Sequence, residues 1–144
     1  MKKRVVVFGV FDLIHPGHAA FLKRARALGD ELVVVVAKDA RVKREKGSAP
    51  LFRERERLAL VSAMRWVDKA VLGESVGRWT ILARLKPAVI ALGHDQTIAR
   101  PEIIRQIARL RIRPRIVPLP RIGPRHHASS QLKARLYDRP QIHP

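Results

Sequence analysis

Residues 5–18 read Val5-Val6-Val7-Phe8-Gly9-Val10-Phe11-Asp12-Leu13-Ile14-His15-Pro16-Gly17-His18, and this stretch decides the fold. Val5 to Phe8 is a short β-branched and aromatic run, which reads as a buried strand. The Gly, Pro and two His that follow read as a strand-to-helix turn. Pro16 suits a first helical position, where its missing N–H costs nothing. His15 and His18 stand three apart, so a helical turn puts them on one face. Two imidazoles at a helix mouth, beside a close-approach glycine, suit an anionic phosphate. The plainer readings are helix-capping histidines or half of a zinc site, but no third and fourth zinc ligand is evident.

The same alternation continues outward from that stretch. Strand-like runs cover Arg4–Phe8, Glu31–Ala37, Lys69–Leu72, Ala88–Leu92 and Arg115–Pro118. Helix-like segments cover His18–Leu28, Phe52–Met64, Trp79–Leu85, Pro101–Leu110 and Ser129–Leu136. Val33 to Val36 is unbroken apolar sequence, typical of a strand covered on both faces. Strands alternating with helices predict an α/β fold, a Rossmann-like, doubly wound, five-stranded parallel sheet with helices on both faces. Ligands in such sheets sit beyond the strands' carboxyl ends. Four polar loops fall there: Gly9–His18, the basic loop Lys38–Gly47, Gly93–Gln96 and Pro120–Ser130. One domain is expected over residues 1–137, with a C-terminal tail at 138–144.

Composition narrows the class. The 144 residues hold 30 Lys and Arg against 12 Asp and Glu, a net charge of +18. That charge fits an anionic partner, whether nucleic acid or a phosphorylated small molecule. It fits equally a thermophile's surface, since arginine is abundant and asparagine absent. Aromatic residues make up only 5%, too few to stack along a nucleic-acid strand, which makes a nucleic-acid-binding module the weaker expectation. Without cysteine the chain has no disulfide framework and no thiol nucleophile. No apolar run approaches the roughly 20 residues of a membrane span. The N-terminus lacks a signal peptide's apolar region, so a cytoplasmic enzyme is expected. Neither a Gly-x-x-x-x-Gly-Lys-Ser/Thr loop nor a Gly-x-Gly-x-x-Gly turn is present, which argues against a P-loop ATPase and a Rossmann dehydrogenase.

Gly9-Val10-Phe11-Asp12 followed by His15-Pro16-Gly17-His18 resembles the HxGH nucleotidyltransferase superfamily, the cytidylyltransferase-like enzymes. Within it the chain is most similar to archaeal FAD synthases (FMN adenylyltransferases), and next to glycerol-3-phosphate cytidylyltransferases. The likeness runs through Leu28–Val35, Lys46-Gly47 with Pro50, Arg57, Val67-Asp68 and Ala91–Gln96. It implies direct in-line attack of an acceptor phosphate on the α-phosphorus of a nucleoside triphosphate, with pyrophosphate leaving. By resemblance His15, His18, Lys46 and Arg121 are catalytic, with Arg125 the rival to Arg121. Gly9, Val10, Phe11, Pro16, Gly17, Asp95, Ser129 and Ser130 join them in binding the nucleotide. Lys43, Lys46 and Arg57 would bind the second substrate. Mg2+ would arrive through the triphosphate, with no protein metal site, and a homodimer is implied. The family's usual threonine is Val10 here, which removes a hydroxyl but leaves any backbone N–H contact. Ser129 or Ser130 could equally be a helix cap alone. Without the match, Arg57 would read as a surface helix charge among Glu54 and Glu56. Trp66, Trp79 and Tyr137 read as core or interface anchors, and Asp30 and Asp39 have no evident catalytic partner.

Overall fold

The structure, a computed structural model, describes residues 2–75, 77–96, 99–122 and 129–137, with 129, 130, 136 and 137 by backbone alone. The expected segments beyond these, Arg125 and the tail 138–144, lie outside the described residues. Among the described residues five strands form one parallel sheet: β1 (Arg4–Gly9), β2 (Glu31–Val36), β3 (Lys69–Leu72), β4 (Val89–Leu92) and β5 (Arg115–Pro118). Their order is β3-β2-β1-β4-β5, all neighbours parallel. Among the described residues six α-helices accompany them: α1 (Pro16–Arg26), α2 (Asp39–Lys46), α3 (Glu54–Ser62), α4 (Thr80–Leu85), α5 (Arg100–Arg109) and α6 (Ser129–Tyr137).

The sheet is covered on both faces, which is why its strands read as continuous apolar runs. Val5, Val7, Leu32, Val34 and Val36 pack with Leu22 and Ala25 of α1 and Val61 of α3. Val6, Val33, Val35, Ile90 and Leu92 point the other way, onto Ile81, Leu82 and Leu85 of α4 and Ile103 of α5. The expected doubly wound α/β architecture is the observed one. Among the described residues no helix is long and apolar enough to cross a membrane.

One element departs from the sequence reading. The basic loop expected over Lys38–Gly47 is mostly the helix α2. It buries only Val42, so it carries no apolar period to betray it. Its end charges do fit a helix: Asp39 in the first turn, Lys43, Arg44 and Lys46 in the last. An Arg41–Glu45 pair spans one turn, and Gly47 closes the helix at φ 79°. The first helix opens at Pro16, as that proline's fit to a first helical position implied, two residues before the helix-like segment His18–Leu28, which leaves His15 as its N-cap.

The chain runs from β1 outward to β2 and β3, then crosses to β4 and β5 on the other side. The switch point therefore lies between β1 and β4, where a ligand crevice is expected. β1 and β4 are paired at Val5–Val89 and Val6–Ile90. Further along, Gln96 takes over: its Nε2 donates to Phe8 O at 2.8 Å and its Oε1 accepts from Gly93 N at 2.9 Å. That side chain holds the two strand ends together at the crevice.

Candidate active site

The two histidines are built into the start of α1. His15 Nδ1 accepts from Gly17 N at 3.0 Å, and His18 Nδ1 accepts from His15 N at 3.2 Å. Each ring thus satisfies a backbone N–H that the helix start would otherwise orphan. The rings lie 3.9 Å apart at 30°. A nitrogen that accepts cannot also carry the proton of a neutral ring. Both neutral imidazoles are therefore assigned the Nε2–H form, with the donor across the ring from the backbone it caps. Gly17 is required for this. A Cβ there would sit 2.8 Å from His15 Cε1 and 2.9 Å from its Nδ1.

His18 is held neutral. Burial, then the neighbouring His15 and the charge of Lys46, push its pKa down to about 4, against a smaller upward pull from Asp95. Lys46 and Asp95, from two different strand-end segments, therefore both act on the His18 ring. Phe11 packs its ring 5.3 Å from that of His18. The close approach expected of Gly9 is made by this same Phe11 ring, which a Cβ on Gly9 would meet at 2.5 Å.

The loop carrying Val10 to His15 is held in an unusual shape. Phe11 and Leu13 both have φ 55°, in the left-handed region that side chains disfavour. Two buried polar residues hold it there. Asp12 is 4% exposed; its Oδ2 accepts from Leu51 N at 2.8 Å and its Oδ1 from Phe52 N at 3.0 Å. Lys133 of α6 adds an ion pair to Oδ2. Burial pushes the Asp12 carboxyl upward, but Lys133 and the two backbone N–H groups outweigh it and hold the pKa below its ordinary value.

Arg57 is the second holder. The likeness to the family put it on the substrate, but the structure puts it behind the loop, fully buried. Its guanidinium donates to Val10 O at 2.8 Å, Phe52 O at 3.0 Å and Asp39 Oδ1 at 2.7 Å. In a trans peptide C=O and N–H point opposite ways. Pulling Val10 O toward Arg57 therefore turns the Phe11 N–H away from α3. Asp39, without an evident partner in the sequence, is the counter-ion of Arg57, and its backbone N–H and carboxylate exchange bonds with Glu54.

The remaining expected residues fall as follows. Pro16 is exposed at the first turn of α1, beside the histidines. Lys43 is exposed on α2, one turn before Lys46. Arg121 is exposed, and the carbonyl of the next residue, Ile122, lies 3.8 Å from where a Gly17 Cβ would stand. The segment after β5 thus runs alongside the start of α1. Ser129 and Ser130 open α6. The residues the sequence reading missed are Asp12 and Lys133. Asp12 did leave a trace, as an acid inside the apolar run Phe11–Ile14, which implies a partnered buried charge. Lys133 left none.

Among the described residues no three His, Cys, Asp or Glu side chains gather to hold a metal ion. A hard cation would take phosphate oxygens as ligands.

Comparison with known proteins bears on the family and the fold. A family model described as cytidylyltransferase-like matches residues 6–133. An FAD synthase of Thermoplasma volcanium is 38% identical over 135 residues, 94% of each chain. An FAD synthase of Pyrococcus horikoshii is 44% identical over 83% of this chain and 81% of that one. Among solved structures, a protein of Thermoplasma volcanium described as a lipopolysaccharide core biosynthesis protein superposes with a TM-score of 0.79 at 41% identity, over 85% of this chain and all of that one. A pantoate-β-alanine ligase of Francisella tularensis, 15% identical, shares the fold with a TM-score of 0.57 over 92% of this chain and 65% of that one.

Proposed function

The chain belongs to the cytidylyltransferase-like family, and on that premise we propose that it is an FMN adenylyltransferase, moving AMP from ATP to the phosphate of FMN to give FAD and pyrophosphate. The observation that carries the chemistry is the stacked pair His15 and His18, each locked by its Nδ1 onto the backbone of α1. The choice of substrates is supported by the FAD synthases that match most of the chain.

A phosphate oxygen of FMN attacks the α-phosphorus of ATP. The bond from that phosphorus to the oxygen bridging to the β-phosphate breaks, and pyrophosphate leaves with the electron pair. The transition state spreads charge over the equatorial oxygens, so catalysis needs aimed donors more than a base. His15 and His18 supply Nε2–H donors to those oxygens. His18 stays a neutral donor without needing a proton from solvent. The Phe11 N–H, aimed by Arg57 through Val10 O, adds a third. That backbone donor makes the valine at position 10 tolerable, because no hydroxyl is needed there.

Lys46 offsets charge at the reacting phosphate, and Lys43 extends the cationic field along α2 toward FMN. Arg121 and the α6 N-terminus with Ser129 and Ser130 meet the departing phosphates. Asp95, beside the crevice between β1 and β4, meets the nucleoside. Mg2+ bound to the triphosphate oxygens would neutralise the leaving pyrophosphate. The enzyme is further read as a cytoplasmic homodimer, which sedimentation of the purified protein checks.

The test is a matrix of nucleoside triphosphates against FMN and glycerol 3-phosphate, read as pyrophosphate release. ATP with FMN should turn over, and His15→Ala and His18→Ala should each lower kcat about 10²–10³-fold. Turnover of CTP with glycerol 3-phosphate instead would replace this reading with that of a glycerol-3-phosphate cytidylyltransferase.

A further inference from the structure

Two of the elements assigned so far come from opposite ends of the chain and must meet. The β1–α1 loop brings the histidines, and α6 brings Ser129 and Ser130. Between them runs one ion pair across a sequence separation of 121 residues, from Lys133 on α6 to Asp12 in the loop. We propose that Lys133 is a positioning residue for nucleotide transfer: through Asp12 it sets the N-terminus of α6 against the histidine pair. This inference rests on the reading of the site as a nucleotidyltransferase centre.

Several observations converge on that pair. Asp12 is 4% exposed, so its carboxylate depends on protein donors rather than water. Oδ2 has Leu51 N and Lys133 Nζ, and Oδ1 has Phe52 N. Lys133 is the one of these donors on a side chain, and it comes from the end of the chain. Asp12 also lies between the two left-handed residues, Phe11 and Leu13. A shift in its carboxylate therefore moves the peptides on which Phe11 N–H and the His15 cap depend. Ile122 O beside Gly17 shows the same approach of the C-terminal segment to the start of α1.

The position of Lys133 on its helix fits the role. It stands four residues after Ser129 and three after Ser130, so it shares their side of α6, one turn further along. An ammonium seated on Asp12 thus brings that side of the first turn of α6 toward the loop. One charge links the group that holds the α-phosphate to the group that holds the departing phosphates. Their relative placement is what in-line displacement demands, and a displacement of about 1 Å can cost on the order of 10²-fold in rate.

The test uses Lys133→Met, which keeps length and removes charge, Lys133→Arg, which keeps charge, and Asp12→Asn combined with Lys133→Met. ATP and FMN kinetics are measured separately, ATP affinity by calorimetry, and amide exchange of α6 by mass spectrometry. Lys133 is partly exposed, so Lys133→Met should fold, and its melting curve is recorded alongside. Lys133→Met should lower kcat/KM for ATP by about tenfold or more, leave KM for FMN near wild type, and speed exchange over 129–137. Lys133→Arg should recover most of the loss. The double variant should lose little beyond Lys133→Met, because both changes act through the same contact. Wild-type ATP kinetics and α6 exchange in Lys133→Met would overturn the proposal, as would an arginine variant as impaired as the methionine one. If wild type fails to use FMN, the substrate reading falls, while calorimetry and exchange still decide the role of Lys133.

Discussion

Replacing Arg57 with methionine separates two roles for a cation near a phosphate site. If Arg57 touched substrate, its loss would cost affinity and little stability. The structure makes it a fully buried brace, so the reverse is expected. Methionine strands Val10 O and Phe52 O without their donor, at about 1 kcal/mol each. It also breaks the charge-assisted bond to Asp39, worth about 2 kcal/mol at most where the carboxylate is wholly dry. Asp39 is 34% exposed and keeps its bond from Glu54 N, so water recovers part of that. The methionine side chain refills the apolar part of the space and returns about 1 kcal/mol. A net loss of about 2 kcal/mol remains, or roughly 7 °C in Tm for a domain of this size.

Activity should fall by a separate route. Once Val10 O is released, the Phe11 N–H loses its aim, and losing one such donor costs about 10²-fold in kcat. The assay pairs thermal melting with pyrophosphate release at 25 °C, where the variant stays folded, with ATP and FMN saturating. A Tm within about 2 °C of wild type, together with a rise in KM for FMN alone, would refute the bracing role and return Arg57 to the substrate.

Three further outcomes follow from the site. His18 has its pKa depressed from 6.5 to about 4, so between those values the unfolded chain binds more protons than the folded one. Stability should therefore fall as pH drops through that window, by up to about 3 kcal/mol, and urea melts from pH 7 to 4 should show a slope that His18→Asn flattens. Gly17→Ala puts a Cβ 2.8 Å from His15 Cε1, so it should swing that ring off its cap; kcat should drop about 10²-fold while the far-UV spectrum stays that of wild type. Chelation by EDTA should abolish pyrophosphate release and leave the melting temperature unchanged, because the ion travels with the nucleotide; a lowered Tm would point to a metal held by the protein.

Some of this molecule is legible one segment at a time. Val5–Phe8 and Val33–Val36 announce strands covered on both faces, because both faces of a parallel sheet are buried and no polar alternation survives. His15 and His18 are legible because their bonds run to backbone atoms within three residues. The helix α2 was hidden for the opposite reason. It rests on end charges and one buried valine, and an apolar period cannot be seen where the core needs only one contact.

What holds the histidine loop in shape was decided only in three dimensions. Asp12 finds its partners 39, 40 and 121 residues away, and Arg57 finds Val10 O at 47 and Asp39 at 18. No local spacing encodes such pairs. A buried charge must be satisfied by whatever donors the packing brings to it, and the strand order around β1 determines which those are. The sequence alone determined the sheet and the histidine pair at the start of α1. The tertiary structure decided that Arg57 and Lys133 stand behind that pair.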